Sequence, residues 1–148
     1  MINFTEGQII LGAKNIFAIS DENLNALAKE SVIEKREDAG GIYYYVEDEA
    51  DGMRFGIFIS LREKKIEWVR LSWLDSPVKG WEDVSEKATK DEYRLLLNFV
   101  ETQVGAPPDN KGNRRRTWRF NWGQLEVCYE PRAYQADIFM KPRRLTQG

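Results

Sequence analysis

The chain reads as a single α+β domain, residues 1–148, built on a mainly antiparallel sheet of about six strands with two helices packed on one face. Three observations carry that expectation. The 148 residues are 42% hydrophobic and 12% aromatic, enough for one packed core. Three runs between Gly41 and Trp73 alternate apolar and polar side chains and are joined by short polar turns. A helical run then precedes a second alternating set, so the order divides into two αβββ halves.

Each element follows from local pattern. MINFTEGQIILGAKNIF lacks a basic leader, and Glu6 and Lys14 bound its apolar run, so it reads as a strand or loop of the domain and not as a signal peptide. Ser20 is placed to cap DENLNALAKE, where Leu24, Leu27 and Ala28 share a helical face and Asp21 and Glu22 favour the first turn. That helix fades before Gly40-Gly41. GIYYYVED sets Tyr43 and Tyr45 against Ile42, Tyr44 and Val46. MRFGIFISL sets Phe55, Ile57 and Ile59 against Phe58. IEWVRLSW groups Ile66, Trp68, Arg70 and Ser72 opposite Glu67, Val69, Leu71 and Trp73.

A loop over residues 75–84 leads to Thr89-Lys-Asp-Glu92, a capping-box pattern with Thr89 as cap. Leu96, Leu97, Phe99 and Val100 are then expected to include the helix's buried anchors, and Gly105-Ala-Pro-Pro ends it. RRTWRFNWGQLEVCYEP gives two further strands around an Asn121-Trp122-Gly123 turn, and YQADIFMK gives the last.

Composition excludes several chemistries. Histidine is absent, which removes Ser-His-Asp and Cys-His nucleophiles and every histidine-containing metal site. Cys128 is the only cysteine, so no intrachain disulfide and no cysteine-only zinc site can form. The acidic stretch EDEADG resembles an EF-hand opening, but the position of the bidentate glutamate holds Phe58. No catalytic residue, cofactor or metal is therefore expected. No apolar run approaches the roughly 20 residues of a membrane span, and cytoplasmic residence is expected.

Charge is uneven although the net charge is −2. Residues 111–148 carry nine basic against three acidic residues, and residues 1–110 reverse the balance. In RRRTWRFNW, Trp118 and Phe120 alternate onto the core face and Arg119 points away. Arg114, Arg115 and Arg116 fall at the start of a strand as solvated charge, with contact to an anion as their sharper role. Partner binding is assigned to two loops: the acidic turn Glu47, Asp48, Glu49 and Asp51, and the segment Trp81, Glu82, Asp83.

A helix ending in G-x-P, then W-x-x-x-x-G-x-L-x-V, then a closing strand I-F-M are carried here by Gly105, Pro107, Trp118, Gly123, Leu125, Val127 and Ile138 to Met140. This pattern, with the tyrosine-rich meander, resembles small bacterial immunity proteins of polymorphic-toxin and contact-dependent-inhibition systems. The resemblance implies a protein that acts by binding, covering a toxin's active site or holding it inactive, and it carries over no catalytic residue. A basic toxin domain is the partner it implies, and nucleic acid is not expected. Two rivals stand beside it: a carboxylate- or cation-dependent enzyme acting on a phosphorylated or glycosidic substrate, and a nucleic-acid accessory protein using the basic C-terminal third. Clustered buried carboxylates in a pocket would mark the enzyme, a continuous basic groove the nucleic-acid protein, and an acidic patch rimmed by aromatics the toxin binder.

Overall fold

The computed structural model describes residues 1–18, 21–39, 41–77 and 85–143. Strands β1 (Ile2–Asn3), β2 (Gln8–Leu11) and β3 (Lys14–Asn15) form a three-stranded sheet, followed by a 3-10 turn and helix α1 (Asp21–Lys29). β4 (Glu34–Asp38), β5 (Gly41–Ala50), β6 (Met53–Arg62) and β7 (Lys65–Trp73) make an antiparallel meander. Helix α2 (Glu86–Val104) leads to a second meander: β8 (Asn110–Gly112), β9 (Arg115–Phe120), β10 (Gly123–Glu130) and β11 (Gln135–Pro142). The two meanders join through their last strands, where Val69, Arg70 and Leu71 lie opposite Met140, Phe139 and Ile138.

Among the described residues, the expected sheet of about six strands with two helices on one face is thus corrected to a sheet of eight strands, in the order β4-β5-β6-β7-β11-β10-β9-β8, with a separate sheet of three that joins α2 in the core. Each αβββ half becomes one helix followed by four strands. The strands missed by pattern are the two edges. β4 is EKRED and β8 is NKG, with no apolar alternation to read. An edge strand has one neighbour only, and charged side chains there discourage further pairing.

The long strands follow the alternation closely. Phe55, Ile57 and Ile59 of β6 share a fully buried layer with Val69, Leu71, Leu125, Val127, Ile138 and Met140. One grouping needs correction. The β6–β7 register shifts after Ser60, so that Trp68 pairs with Ser60 but Ile66 pairs with Leu61. Glu67 is left without a partner in the ladder, and this bulge turns Ile66 onto the core, away from Trp68.

Helix α2 starts one turn earlier than the capping box implied. Ser85 is extended (φ −146°), and its side chain accepts the Ala88 N–H at 3.1 Å. Thr89 lies inside the helix, where its hydroxyl donates to the Ser85 carbonyl at 3.0 Å, and Glu92 is buried. The C-terminus agrees with its sequence signal: Gly105 is left-handed (φ 76°) and donates to the Glu101 carbonyl. Leu96 and Val100 are fully buried, whereas Leu97 and Phe99 are partly so. Phe99 stacks on Phe55, and Tyr93 packs on Tyr129 of β10. Helix α1 sits near β4, and the Tyr44 hydroxyl donates to Asn25 at 2.7 Å. Its expected cap, Ser20, lies outside the described residues.

The N-terminal strands pack against the second meander. Trp122, in the β9–β10 turn, donates its indole N–H to the carbonyls of Phe4 and Thr5, both at 3.1 Å. Gly7 (φ 64°) lies so close under that ring that any side chain would collide with it. Among the described residues, no helix is long and apolar enough to cross a membrane.

Candidate binding surface

The acidic cluster is not a single turn. Only Asp51 and Gly52 form the β5–β6 turn, with positive φ at both positions as a tight hairpin requires. Glu47, Asp48 and Glu49 lie on β5 itself, and a strand sends successive side chains to opposite faces. Asp48 faces the core side and binds the N-terminal ammonium of Met1 at 2.8 Å. Glu47 faces the other side, where Arg54 reaches it at 3.2 Å and the Tyr45 hydroxyl donates to it. Arg54 also holds Asp75 at 3.1 Å. Asp51 accepts from the Gln103 side chain on α2, and Glu49 is exposed. The second proposed segment, Trp81, Glu82 and Asp83, lies outside the described residues.

The three arginines divide in the same way. Arg114 sits in the β8–β9 turn (φ 61°) and is exposed. Arg115 reaches the buried carboxylate of Glu126 at 3.5 Å. Arg116 folds back to donate to the carbonyls of Gly112 and Arg115 at 2.8 and 2.9 Å. Two of the three thus have internal partners and are not simply solvated. Trp118 is buried, Phe120 partly buried and Arg119 exposed, as the alternation required.

The feature that sequence reasoning missed is the outer face of the eight-stranded sheet. Helix α2 and the three-stranded sheet pack on the core side. On the other side, neighbouring strands bring aromatic rings and arginines into one continuous array. Arg36 lies over Tyr45 at 4.1 Å, Tyr45 packs on Phe58 at 4.9 Å, and Arg70 lies over Phe58 at 4.3 Å. Trp68 meets Phe139 edge-on at 5.7 Å, and the Lys141 ammonium approaches Phe139 at the same distance. Tyr43, Tyr45, Phe58, Trp68, Arg70 and Phe139 are all half-buried, flanked by their sheet neighbours. Each occupies the non-core register of its strand, which the sequence shows; the strand order that brings them together it does not.

Two carboxylates are sunk into this face. Glu126 is 3% exposed and is neutralised by Lys141 at 2.7 Å and by Arg115. Asp137 is 6% exposed and accepts the Ser72 hydroxyl at 2.7 Å. Beside them, burial pushes the half-buried Cys128 thiol up to about 11, with the charges of Asp137 and Glu126 adding to the shift. It stays protonated at neutral pH and is a poor nucleophile. Among the described residues, no three His, Cys, Asp or Glu side chains are grouped to hold a metal ion.

Two shallow depressions open on the β7–β11–β10–β9 half. One, of about 620 Å³, is lined by Trp68 together with Arg62, Arg119, Lys141 and Arg143. The other, of about 410 Å³, is lined by Arg70, Arg114, Arg115, Phe139 and the carboxylates Glu130 and Asp137. Arg70 makes no ion pair among the described residues, and its Nε is buried without a hydrogen-bond partner. The β4–β5 half instead carries Glu34, Asp38, Glu47 and Glu49 in the outer register against Arg36. The surface is therefore acidic towards one edge and basic towards the other. Compared with protein-family models, with curated proteins and with solved structures, the chain matches none of them.

Proposed function

We propose that the chain is a non-enzymatic binding protein of the immunity type, neutralising a toxin domain by docking the outer face of its eight-stranded sheet against it. The observation that carries this reading is the array Arg36–Tyr45–Phe58–Arg70 with Trp68 and Phe139. Tyrosine, tryptophan and arginine are the residues most often found to dominate protein interfaces, because each offers a large, stiff contact surface with a polar tip. Here they stand on a rigid sheet, so little side-chain freedom is lost on docking. Lone Cys128 suits a reducing, cytoplasmic setting. The acid-to-basic gradient across the face would orient a partner carrying the opposite gradient.

The enzyme reading is less well supported. Of the two buried carboxylates, Glu126 is already neutralised by two cations and Asp137 is held by the Ser72 hydroxyl, so both are poorly placed as a general acid or base.

The test is to express the product of the adjacent open reading frame with and without this chain. Growth arrest by the neighbour alone, rescue by coexpression and a stoichiometric complex are the expected results. Trp68→Ala and Tyr43→Ala should each weaken that complex. Undiminished affinity in both variants would move the interface off this face, and a harmless neighbour that forms no complex would remove the immunity role.

A further inference from the structure

We propose that the basic half of the outer sheet face is a receptor for the carboxylates of an acidic, extended segment of the protein partner, with Arg70 as its fixed anchor. The proposal rests on the partner-binding reading of this face and names the chemistry of what docks there.

The argument begins with how Arg70 is held. It projects from β7 next to the central β7–β11 pairing, and its guanidinium carbon lies over the Phe58 ring at 4.3 Å. Stacking on the ring restrains the group, and a restrained guanidinium is suited to receive a carboxylate with two parallel hydrogen bonds. Its Nε is already desolvated and has no acceptor among the described residues. That nitrogen is shut off from solvent, so the terminal nitrogens, which are not buried without a partner, are the ones an incoming carboxylate would meet.

The surroundings extend the site. Arg114 and Arg115 line the same depression, while Arg119, Arg143 and Arg62 line the neighbouring one. An extended acidic segment running along β10 and β11 from one depression to the other would meet cations at both ends of its path, with Phe139 and Glu126 between them. The acidic residues within this half offset these cations only in part. Glu126 pairs with Lys141 and Arg115, and Glu67 lies near Arg62 at 3.7 Å, so Arg70, Arg114, Arg119 and Arg143 are the lining cations without an ion pair among the described residues. Asp137 is buried and accepts from the uncharged Ser72 hydroxyl. Glu130 accepts the Arg132 backbone N–H and remains the one exposed carboxylate lining the smaller depression.

Single-stranded nucleic acid would use the same cations but also needs ring faces on which bases stack. On Phe58, Tyr45 and Phe139 those faces are already engaged. Arg70 and Tyr45 cover Phe58, Arg36 covers Tyr45, and Phe139 is engaged by Trp68 and Lys141. Protein carboxylates are the better match.

The experiment measures fluorescence anisotropy of labelled deca-glutamate and of a labelled ten-residue oligothymidylate with the full chain. Deca-glutamate should bind at about 20 mM salt, release as salt is raised, and bind more tightly than the oligonucleotide. Arg70→Met, which keeps the stem on Phe58 and removes the guanidinium, should weaken it about tenfold. Arg119→Gln should weaken it further, and Lys14→Gln on the N-terminal sheet should not. If Arg70→Met fails to fold, Arg119→Gln and the Arg70 Nε–H resonance of the wild type decide. That resonance should move saturably with added peptide. Tighter binding of the oligonucleotide, no binding of the peptide, or an unmoved Arg70 resonance would each overturn the proposal. Peptide binding without any complex with the neighbouring gene product would sink the immunity reading alone, and the reverse pattern would sink only the receptor.

Discussion

Replacing Leu96 by Ala removes three carbon atoms from a fully buried site on α2, in the layer beneath β10 and β11. At about 0.8 kcal/mol per buried methylene the transfer loss is roughly 2–3 kcal/mol. Incomplete collapse of the cavity brings the expected cost to about 3–4 kcal/mol, within the usual range for such changes. For a domain of this size that is a fall in Tm of roughly 6–16 °C. Leu97 is the control. It follows Leu96 directly but is only partly buried, so Leu97→Ala should cost about 1 kcal/mol. Urea unfolding of both variants, followed by circular dichroism, gives the two values with m unchanged. A cost for Leu97→Ala equal to or above that for Leu96→Ala would refute the assigned face of α2.

Ser85→Ala should cost about 1 kcal/mol and Ser85→Gly only a few tenths, read by the same urea midpoints; equal costs would mean that Ser85 is not the cap. Gly123 (φ 149°) has the Lys141 carbonyl where a β-carbon would stand, so Gly123→Ala should cost about 2–4 kcal/mol and lower Tm sharply. Cys128 titrates ordinarily at 9.0 and at about 11 when folded, so only the unfolded chain ionises between those values and stability should fall as pH rises from 9 to 11. Tyr45 and Tyr93, both raised chiefly by burial, act in the same direction at higher pH. Cys128→Ser should flatten the lower part of that decline, and an unchanged slope would contradict the burial argument.

Local pattern made much of the fold legible. Strict alternation in GIYYYVED and MRFGIFISL is forced by a sheet with one buried face, and β5 and β6 appear where it runs. Helix α2 was legible from Leu96 and Val100 and from Gly105, but its start was not. Ser85 and Thr89 are both able to cap, and only tertiary packing of Glu92 and Thr89 into the interior selects the earlier one. β4 and β8 carry no apolar periodicity. The β7–β11 pairing joins segments that nothing local relates, and so the outer face assembled across it could not be read either. Trp68 and Arg70 were seen to share a register; that Phe58 and Phe139 flank them depends on the strand order. Asp48 shows the same limit, since its partner is the chain's own first residue.

The meeting of the two meanders at β7 and β11 has a kinetic side. Every other neighbouring pair in the large sheet is a hairpin, closed by a short turn and able to form within microseconds. The β7–β11 pair instead closes a loop containing α2 and three further strands, so its contact order is high and its formation comes late. During synthesis, β7 is finished long before β11 exists. Until then its backbone is an unpaired edge bearing Val69, Leu71 and Trp73, an apolar template for pairing with another chain. The same strand that ends up at the centre of the sheet is thus its most vulnerable edge while the chain is incomplete. Truncation before Gln135 would make that exposure permanent and turn a folding delay into aggregation.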